Sequence, residues 1–204
     1  MELLYRDGEI AVCIKPAGLL SEGDGEDSVL THVRRETGGE IYPVHRLDRG
    51  TAGIMVFART RASAAALSEA IRKDLLQKEY LALVSGCPAE KEGRLEDYLF
   101  KDSRKNKVFP VKTERKGAKY AALRYRVLWT KEDASLVRVA LETGRTHQIR
   151  VQFASRGMPL LGDGKYGSRV KGEMKLFACR LTFPHPKTGE PMTFEQMPDW
   201  AELC

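Results

Sequence analysis

The sequence has no close pair of cysteines and no long apolar run, and both absences exclude classes of protein. Its four cysteines, Cys13, Cys87, Cys179 and Cys204, are widely separated and form no C-x-x-C motif. We therefore expect reduced thiols rather than a disulfide framework or a zinc site. Apolar runs such as 54–58 are far shorter than the roughly 20 residues that span a bilayer, so we expect no contact with a membrane.

The N-terminus lacks the basic start and long apolar stretch of a signal peptide, because charged residues occur within its first six positions. A cytoplasmic protein is the resulting expectation. The 204 residues suffice for one substantial core and are too few for two large domains. We expect a single domain over residues 1–204, and a monomer, because no apolar stripe is left without a partner in the chain.

Positive charge is concentrated in one segment rather than spread along the chain. The net charge is +6, and residues 101–119 hold eight basic residues against two acidic ones. The basic residues are Lys101, Arg104, Lys105, Lys107, Lys112, Arg115, Lys116 and Lys119. Such a segment suits a polyanion, because neutralised phosphates release counterions, although a solvated loop without a ligand explains it equally well. Residues 86–117, rich in proline, glycine and charge, are predicted to be a basic excursion between sheet elements.

Apolar patterning predicts more strands than helices. Residues 3–6 and 9–15 predict a hairpin, in which Asp7-Gly8 suits a two-residue turn with positive φ. The continuous apolar run 53–59 predicts a strand buried on both faces, and Thr60 is expected to cap a helix that extends to about residue 73. Further strands are predicted at 41–44, 79–85, 120–129, 136–141, 175–183 and 192–194, and further helices at 28–35 and 146–155. The fold class is therefore α+β, around a mixed, largely antiparallel sheet.

Asp48 lies in a short segment between two predicted strands and is flanked by Arg46 and Arg49. Nearby positive charge favours the ionised carboxylate. A rigid loop beside a sheet can hold such a group as a nucleophile or a base. The alternative is an aspartate that only braces its own turn, which is a common role for this residue type.

Two other residues are candidates for a site. If Thr146 caps the helix, His147 and Arg150 share one helical face, from which Arg150 can reach a carboxylate on another element. The alternative is an exposed surface arginine. Tyr80 shares a strand face with Ala82 and is either a core residue or a site residue.

Residues 45–54, HRLDRGTAGI, resemble the central motif H-R-L-D-x-x-T-S-G-L of the RluA-type family of pseudouridine synthases. Further matches follow the family's order at 15–18 (KPAG), 78–86 (KEYLALVSG), 143–150 (TGRTHQIR) and 183–186 (FPHP). Gly162-Asp163 with Tyr166-Gly167 also resembles the loop after the Arg150 helix. Five ordered motifs over nearly the whole chain make the resemblance specific. Ala52 replaces the usual serine, and residues 19–23 depart from the His-Pro often found after K-P-A-G, but the charge of Asp48 is kept.

This resemblance implies an enzyme that isomerises uridines of ribosomal or transfer RNA to pseudouridine. The bond between ribose C1′ and uracil N1 breaks, the base rotates, and C1′ is rejoined to C5. Nothing is oxidised, so no cofactor or metal is expected, and the sequence contains no P-loop or dinucleotide motif. The implied partner is a structured RNA loop, where base extrusion costs least. The resemblance also implies the catalytic domain without the small S4 domain that many relatives carry at the N-terminus.

The resemblance implies a role for each candidate residue. Asp48 is the catalytic carboxylate, with attack as a nucleophile and action as a base both left open. Arg150 pairs with Asp48 and keeps it ionised, and Tyr80 stacks on the extruded uracil and helps to remove the C5 proton. Contacts to RNA phosphates are expected from Arg46, Arg49, Arg145, Lys101, Arg104, Lys105 and Lys107. Arg145 can equally brace residues 143–144.

Two other functions explain fewer of these features. A nucleoside glycosidase would share the step at C1′ but normally needs a second carboxylate, and Glu79 is expected to point away from the face of Tyr80. A non-catalytic RNA-binding module explains the basic segment but not Asp48 together with Tyr80 and Arg150. Tritium release from uracil C5 without free base distinguishes the isomerase from both.

Overall fold

The computed structural model describes residues 1–202. The contacts among these residues divide them into two compact units. The first unit comprises residues 1–78 and 177–202, and the second comprises residues 79–176. Cys13, Cys87 and Cys179 are free thiols. Cys204 lies outside the described residues, so the expectation of a reduced thiol there stays a prediction.

Eleven strands, four α-helices and one 3₁₀ turn make up the described residues. The strands are β1 (Glu2–Arg6), β2 (Ile10–Lys15), β3 (Tyr42–Pro43), β4 (Ala52–Ala58), β5 (Gln77–Ser85), β6 (Glu92–Asp102), β7 (Lys107–Val111), β8 (Ala118–Lys131), β9 (Ala134–Leu141), β10 (Leu176–Pro184) and β11 (Pro191–Glu195). The helices are α1 (Val29–Thr37), α2 (Arg61–Arg72), α3 (Gln148–Ala154) and α4 (Asp199–Glu202), with the 3₁₀ turn at Gly164–Tyr166.

The first unit is built on strands in the order β1-β2-β4-β10, with β11 beside β10 and β3 beside β4. β4 and β10 pair in parallel, whereas the other pairs of this unit are antiparallel. In the second unit the order is β5-β9-β8-β6-β7, with antiparallel pairing throughout. The predicted α+β class with a mixed, largely antiparallel sheet is therefore confirmed.

β4 is the central strand of the first unit, and its burial follows from its continuous apolar sequence. Its residues 54–58 are at most 1% exposed, as predicted. Ile54 and Val56 pack with Leu67 of α2 in one core cluster. Thr60 caps α2, as predicted, since its Oγ1 accepts a hydrogen bond from the Ser63 N–H at 3.0 Å. This packed strand gives the preceding Asp48 segment a rigid support.

The hairpin of β1 and β2 is confirmed, but its predicted turn is wrong. Arg6 pairs with Ala11, so more than two residues separate the paired positions. Oδ1 of Asp7 accepts hydrogen bonds from the N–H groups of Glu9 and Ile10, each at 2.8 Å. Positive φ is absent from residues 7 and 8. The aspartate side chain satisfies the turn donors itself, so the turn does not need the left-handed conformation.

Residues 86–117 differ from the expected excursion, because β6 and β7 form a hairpin within the sheet of the second unit. β6 pairs with β8 from Glu92 to Phe100. Leu95 and Leu99 lie on one face of β6 and are buried, and Val108 is buried on β7. The period-two pattern is hidden in the sequence because Asp97 and Lys101 fall on the same strand face as the two leucines.

The predicted start of α3 is also wrong. The helix begins at Gln148, and His147 before it has a left-handed backbone with φ 53°. No side chain in the described part of the chain caps this helix, and the side chain of Gln148, its first residue, instead binds back to the segment that precedes it. Its Oε1 accepts from the Arg145 N–H at 3.0 Å and from the Thr143 hydroxyl at 2.8 Å. A left-handed histidine is uncommon, so the capping preference of threonine gave the wrong start.

Candidate active site

Asp48 lies in the first unit, in the turn that leads into β4. Its backbone carbonyl accepts a hydrogen bond from the Thr51 N–H at 3.0 Å, which closes the turn. The backbone of Asp48, and not its side chain, therefore makes the hydrogen bond that closes the turn. The side chain is half-buried and has interactions of its own. The neighbouring residues show why the turn is rigid.

Lys15, at the end of β2, is completely buried beside this turn. Its Nζ donates to the carbonyl oxygens of Thr51 at 2.7 Å, Pro16 at 3.0 Å and Arg49 at 3.1 Å. Burial lowers the pKa of Lys15 to about 8, while the negative charge of Asp48 raises it. A cation thus lies near Asp48 and binds the chain that follows it. In the sequence, Lys15 was recognised only as part of the KPAG motif. Its position directly after the apolar residues of β2 was the signal that could have indicated its burial.

The segment after β2 fixes both neighbours of Asp48. The Ser21 hydroxyl donates to the Leu47 carbonyl at 2.7 Å and accepts from the Leu47 N–H at 2.9 Å. The Gly18 N–H donates to the Arg49 carbonyl at 2.8 Å, and Nε of Arg49 donates to the Gly18 carbonyl at the same distance. Residues 47 and 49 are therefore attached to one segment, and the backbone of Asp48 is held between them.

His45, which opens the central motif, is tied to β4 in the same unit. Its Nε2 accepts a hydrogen bond from the Val56 N–H at 3.1 Å. Burial, and the nearby charge of Lys78, keep the pKa of His45 well below its usual value. The ring is therefore neutral, as an accepting nitrogen requires, and anchors the start of the motif to the core.

Arg46 and Arg49, two of the predicted phosphate contacts, are exposed and lie near acidic side chains. Nη1 of Arg46 is 3.3 Å from the Glu22 carboxylate, and Nη2 of Arg49 is 3.7 Å from that of Asp27. Exposed ion pairs of this kind contribute only about 0–1 kcal/mol. Exchanging a carboxylate for an RNA phosphate therefore costs little, and the prediction of a phosphate contact stays open for both residues.

Arg150 lies in the second unit on α3, where it is buried, so the alternative of an exposed surface arginine is wrong. Its Nε and Nη2 donate to the two carboxylate oxygens of Asp163, at 2.7 and 2.8 Å. This paired geometry fixes the plane and direction of the guanidinium group. Asp163 was recognised only as part of a loop motif, because its partner lies thirteen residues away. The predicted pairing of Arg150 with Asp48 stays a prediction.

Tyr166 contacts both Arg150 and the β6–β7 hairpin. Its ring centroid is 5.0 Å from the guanidinium carbon of Arg150. Its hydroxyl accepts a hydrogen bond from the Val108 N–H at 3.0 Å and is hydrogen-bonded to Nδ1 of His147 at 2.8 Å. In the sequence, Tyr166 was recognised only as part of a loop that resembles the family's, because these three contacts are all distant in the chain.

Tyr80 lies in the middle of the core strand β5 and is 6% exposed. It pairs with Val139 of β9. Glu79, its neighbour, forms an ion pair with Arg138 at 3.2 Å. The structure is consistent with a packed aromatic ring at position 80, and its stacking on uracil stays a prediction.

The remaining predicted RNA contacts lie on the second unit. Lys101, Arg104 and Lys105 are exposed on the β6–β7 hairpin, whereas Lys107 is half-buried, with its Nζ 5.2 Å from the ring centroid of Tyr166. Arg145 is exposed, and its Nε donates to the Tyr120 carbonyl at 2.8 Å. The arginine side chain is thus anchored to β8, which differs from the alternative in which it braces residues 143–144.

The described residues contain no helix long and apolar enough to cross a membrane. Within the same residues, histidine, cysteine, aspartate and glutamate form no group of three or more that could hold a metal ion.

The fold is that of pseudouridine synthases. A solved structure titled Human RNA Pseudouridylate Synthase Domain Containing 4 matches with a TM-score of 0.81 over 98% of this chain and 89% of that one. Human RNA Pseudouridylate Synthase Domain Containing 1 matches with a TM-score of 0.83 over 97% and 83%. Both are 23% identical in sequence, so the likeness is one of fold.

Sequence comparison gives the family. Residues 9–155 match the family described as RNA pseudouridylate synthase. The Dual-specificity RNA pseudouridine synthase RluA of Escherichia coli (strain K12) is 36% identical, over 97% of this chain and 93% of its own length. The Uncharacterized RNA pseudouridine synthase YhcT of Bacillus subtilis (strain 168) is 33% identical over 100% and 71%, and the Ribosomal large subunit pseudouridine synthase D of Zymomonas mobilis is 29% identical over 100% and 71%.

This chain therefore belongs to the RNA pseudouridylate synthase family. The RluA-type resemblance drawn from its motifs is confirmed, and the protein is an RNA pseudouridine synthase, an isomerase. Family membership also decides against the glycosidase and the non-catalytic module.

Proposed function

We propose that this enzyme isomerises uridines of ribosomal or transfer RNA, with Asp48 as the catalytic carboxylate. The observation that carries this assignment is the attachment of the chain on both sides of Asp48 by Lys15, Gly18 and Ser21. A carboxylate held by fixed neighbours is preorganised for attack, because it loses little freedom in the transition state. The names of two relatives, one dual-specific and one for the large ribosomal subunit, support the choice of RNA.

The proposed reaction conserves every atom of the nucleotide except for exchange of protons. The C1′–N1 bond breaks and a C1′–C5 bond forms, C5 loses its proton, and N1 gains one. Asp48 acts at the ribose of the extruded uridine, as a nucleophile or as a base. Tyr80 stacks on the uracil and assists removal of the C5 proton.

Arg150 is proposed to keep Asp48 ionised. Its support is the fixed direction and burial of the guanidinium, which Asp163 orients through two hydrogen bonds. A buried cation of fixed direction favours a nearby carboxylate in its charged form. Asp163 is then a positioning residue, because it acts through Arg150.

The same proposal includes a cytoplasmic monomer without cofactor or metal. The balanced reaction needs no oxidant, reductant or activated group, which supports the absence of a cofactor. Analytical ultracentrifugation of the purified chain, together with activity retained after treatment with a chelator, is the corresponding test.

The central test uses RNA labelled with tritium at uracil C5 and compares Asp48→Asn with the wild type. We expect tritium release to fall at least about a thousandfold, as for removal of a group that acts directly on the substrate, while RNA affinity stays within about twofold because no positive charge is lost. A matched control is Asp24→Asn, in which an exposed carboxylate 3.6 Å from Arg34 is neutralised in the same unit. It should retain wild-type activity.

Three results would contradict the proposal. Near wild-type tritium release by Asp48→Asn removes Asp48 from catalysis. Equal losses in Asp48→Asn and Asp24→Asn indicate an effect of charge or stability. Release of free uracil by the wild type indicates hydrolysis instead of isomerisation.

A further inference from the structure

A small pocket lies on the second unit, between the β6–β7 hairpin, β8 and the segment that precedes α3. Its volume is about 210 Å³. Leu99 and Val108 form an apolar part of its wall, and Lys101, Lys119 and Arg145 supply positive charge. None of the proposed catalytic residues is among those that line it.

The apolar part of the wall is rigid. Leu99 and Val108 are 4% and 3% exposed, and both pack in a core cluster with Val151 of α3. Leu99 also pairs with Lys119 on the neighbouring strand. One face of the pocket is therefore preformed and apolar, and Lys119 lies directly beside it.

The three cations of the pocket differ from three arginines of the same sheet that lie against carboxylates. Arg94 pairs with Glu96 and Glu142, each at 2.7 Å, Arg124 pairs with Glu142 at 2.8 Å, and Arg126 pairs with Glu92 at 2.7 Å. Within residues 1–202, by contrast, Lys101, Lys119 and Arg145 form no ion pair with a carboxylate. Arg145 is also anchored by its bond to the Tyr120 carbonyl. Three positive charges that are not paired with carboxylates therefore lie around this pocket, and this favours an anionic ligand.

We propose that this pocket binds one nucleotide of the substrate RNA, distinct from the uridine that is isomerised. The unstacked base lies on the Leu99–Val108 wall, and its phosphodiester contacts the lysines and Arg145. Pockets for drug-sized ligands measure roughly 300–1,000 Å³, so a volume of 210 Å³ suits a single base rather than a stack. RNA loops offer such splayed bases, and the flat apolar face of a base can lie against an apolar wall while its phosphate contacts the cations. This inference rests on the proposed function, since it takes RNA as the substrate.

The charge of the pocket is tested with the double variant Lys101→Ala/Lys119→Ala and an unmodified transfer-RNA transcript as the probe. We expect binding about tenfold weaker than wild type at physiological salt, with the slope of log K against log salt smaller by about one to two, because two phosphate contacts are lost. The matched control is Lys91→Ala/Lys131→Ala, which removes the same charge from two exposed lysines of the second unit. Equal affinities of the two double variants would overturn the proposal.

The base is tested separately by filling the pocket without a change of charge. A Cβ added at Gly144, which also lines the pocket, meets nothing within 4 Å. Gly144→Leu should therefore fold, as judged by its melting temperature, and should bind RNA about fivefold more weakly because the base contact is blocked. Its salt slope should equal that of wild type. Wild-type affinity of a folded Gly144→Leu overturns the nucleotide pocket, whatever the lysine variants show.

These binding measurements need no turnover. A wild-type protein that binds RNA with the expected differences but forms no pseudouridine overturns the proposed function and supports the pocket. The opposite result, normal pseudouridine formation with no difference between the lysine variants, overturns the pocket alone.

Discussion

Arg150 and Asp163 form a buried ion pair in which two nitrogens of one side chain face two oxygens of the other, at 2.7 and 2.8 Å. Asp163 is 2% exposed, so water does not replace its carboxylate as a partner of Arg150. A pair of this kind does more to fix direction than to add net stability, because both charges lose their hydration. We therefore expect the pair to serve the enzyme through the orientation of Arg150.

Asp163→Asn should therefore destabilise the protein and impair the reaction. Asparagine removes the negative charge that Arg150 contacts through two hydrogen bonds, and breaking a buried pair in this way costs up to about 3–5 kcal/mol. Urea unfolding measures this loss, and single-turnover tritium release under conditions where the variant is folded measures the effect on the reaction. We expect the rate to fall at least about tenfold, since a misdirected guanidinium loses transition-state contacts.

Glu92→Gln provides the control for that experiment. It breaks the exposed ion pair with Arg126 in the same unit and should cost less than about 1 kcal/mol. Asp163→Asn with the stability and rate of this control would show that Asp163 does not position Arg150.

Tyr166→Phe separates the ring of this residue from its hydroxyl. The ring, which faces the Arg150 guanidinium, is kept, whereas the bonds from the Val108 N–H and to His147 are lost. We expect a loss of about 1–3 kcal/mol, because a buried backbone donor is left without its acceptor. Amide hydrogen exchange at Val108 should become faster. Unchanged exchange at that amide in a folded variant contradicts the role of the hydroxyl, and Tyr166→Leu, which also removes the ring, should be more severely affected.

The sequence predicted those parts of the fold whose causes are local. β4 was recognisable because its apolar run is continuous, and α2 because Thr60 precedes an alanine-rich helix. The β6–β7 hairpin was missed because Asp97 and Lys101 interrupt the strand face that carries Leu95 and Leu99. The start of α3 was missed because His147, which follows the threonine, has a left-handed backbone that residue type does not predict.

The candidate site divides in the same way. Family motifs identified Asp48 and Arg150 by residue type and order. Their supports were not identified, because Lys15 binds carbonyl groups 34 and 36 residues away, and Asp163 lies thirteen residues from Arg150. No local pattern specifies such partners.

Gly53→Ala should prevent stable folding of the first unit. The glycine has φ of 126°, and an added Cβ would overlap the backbone of Ala178, where β4 and β10 pair in parallel. Backbone atoms on both sides cannot move apart without loss of the pairing, so we expect a cost above about 4 kcal/mol. Gly8→Ala is the matched control, since a Cβ there meets nothing within 4 Å. Circular dichroism melts of both variants test the difference, and equal melting temperatures would refute the close approach.

Lys15→Met tests the buried lysine through both stability and pH. The variant keeps an unbranched apolar stem but removes the lysine donor from the carbonyl groups of Pro16, Arg49 and Thr51. The Arg49 carbonyl keeps the Gly18 N–H as a donor, so we expect a loss of about 2–4 kcal/mol at pH 7. Because burial lowers the pKa of Lys15 to about 8 from its usual 10.5, the folded protein releases this proton at lower pH than the unfolded chain. Between about pH 8 and 10.5 the unfolded state therefore binds more protons, and linkage makes the contribution of Lys15 to the free energy of unfolding rise with pH.

The measurement is urea unfolding of wild type and Lys15→Met at pH 7, 8, 9 and 10, since subtraction cancels the titration of all other groups. The pH-dependent part of the difference should grow in favour of wild type above about pH 8. A difference that is constant from pH 7 to 10 would mean that Lys15 titrates alike in the folded and unfolded states. Asp48 would then lie beside a lysine that burial does not perturb.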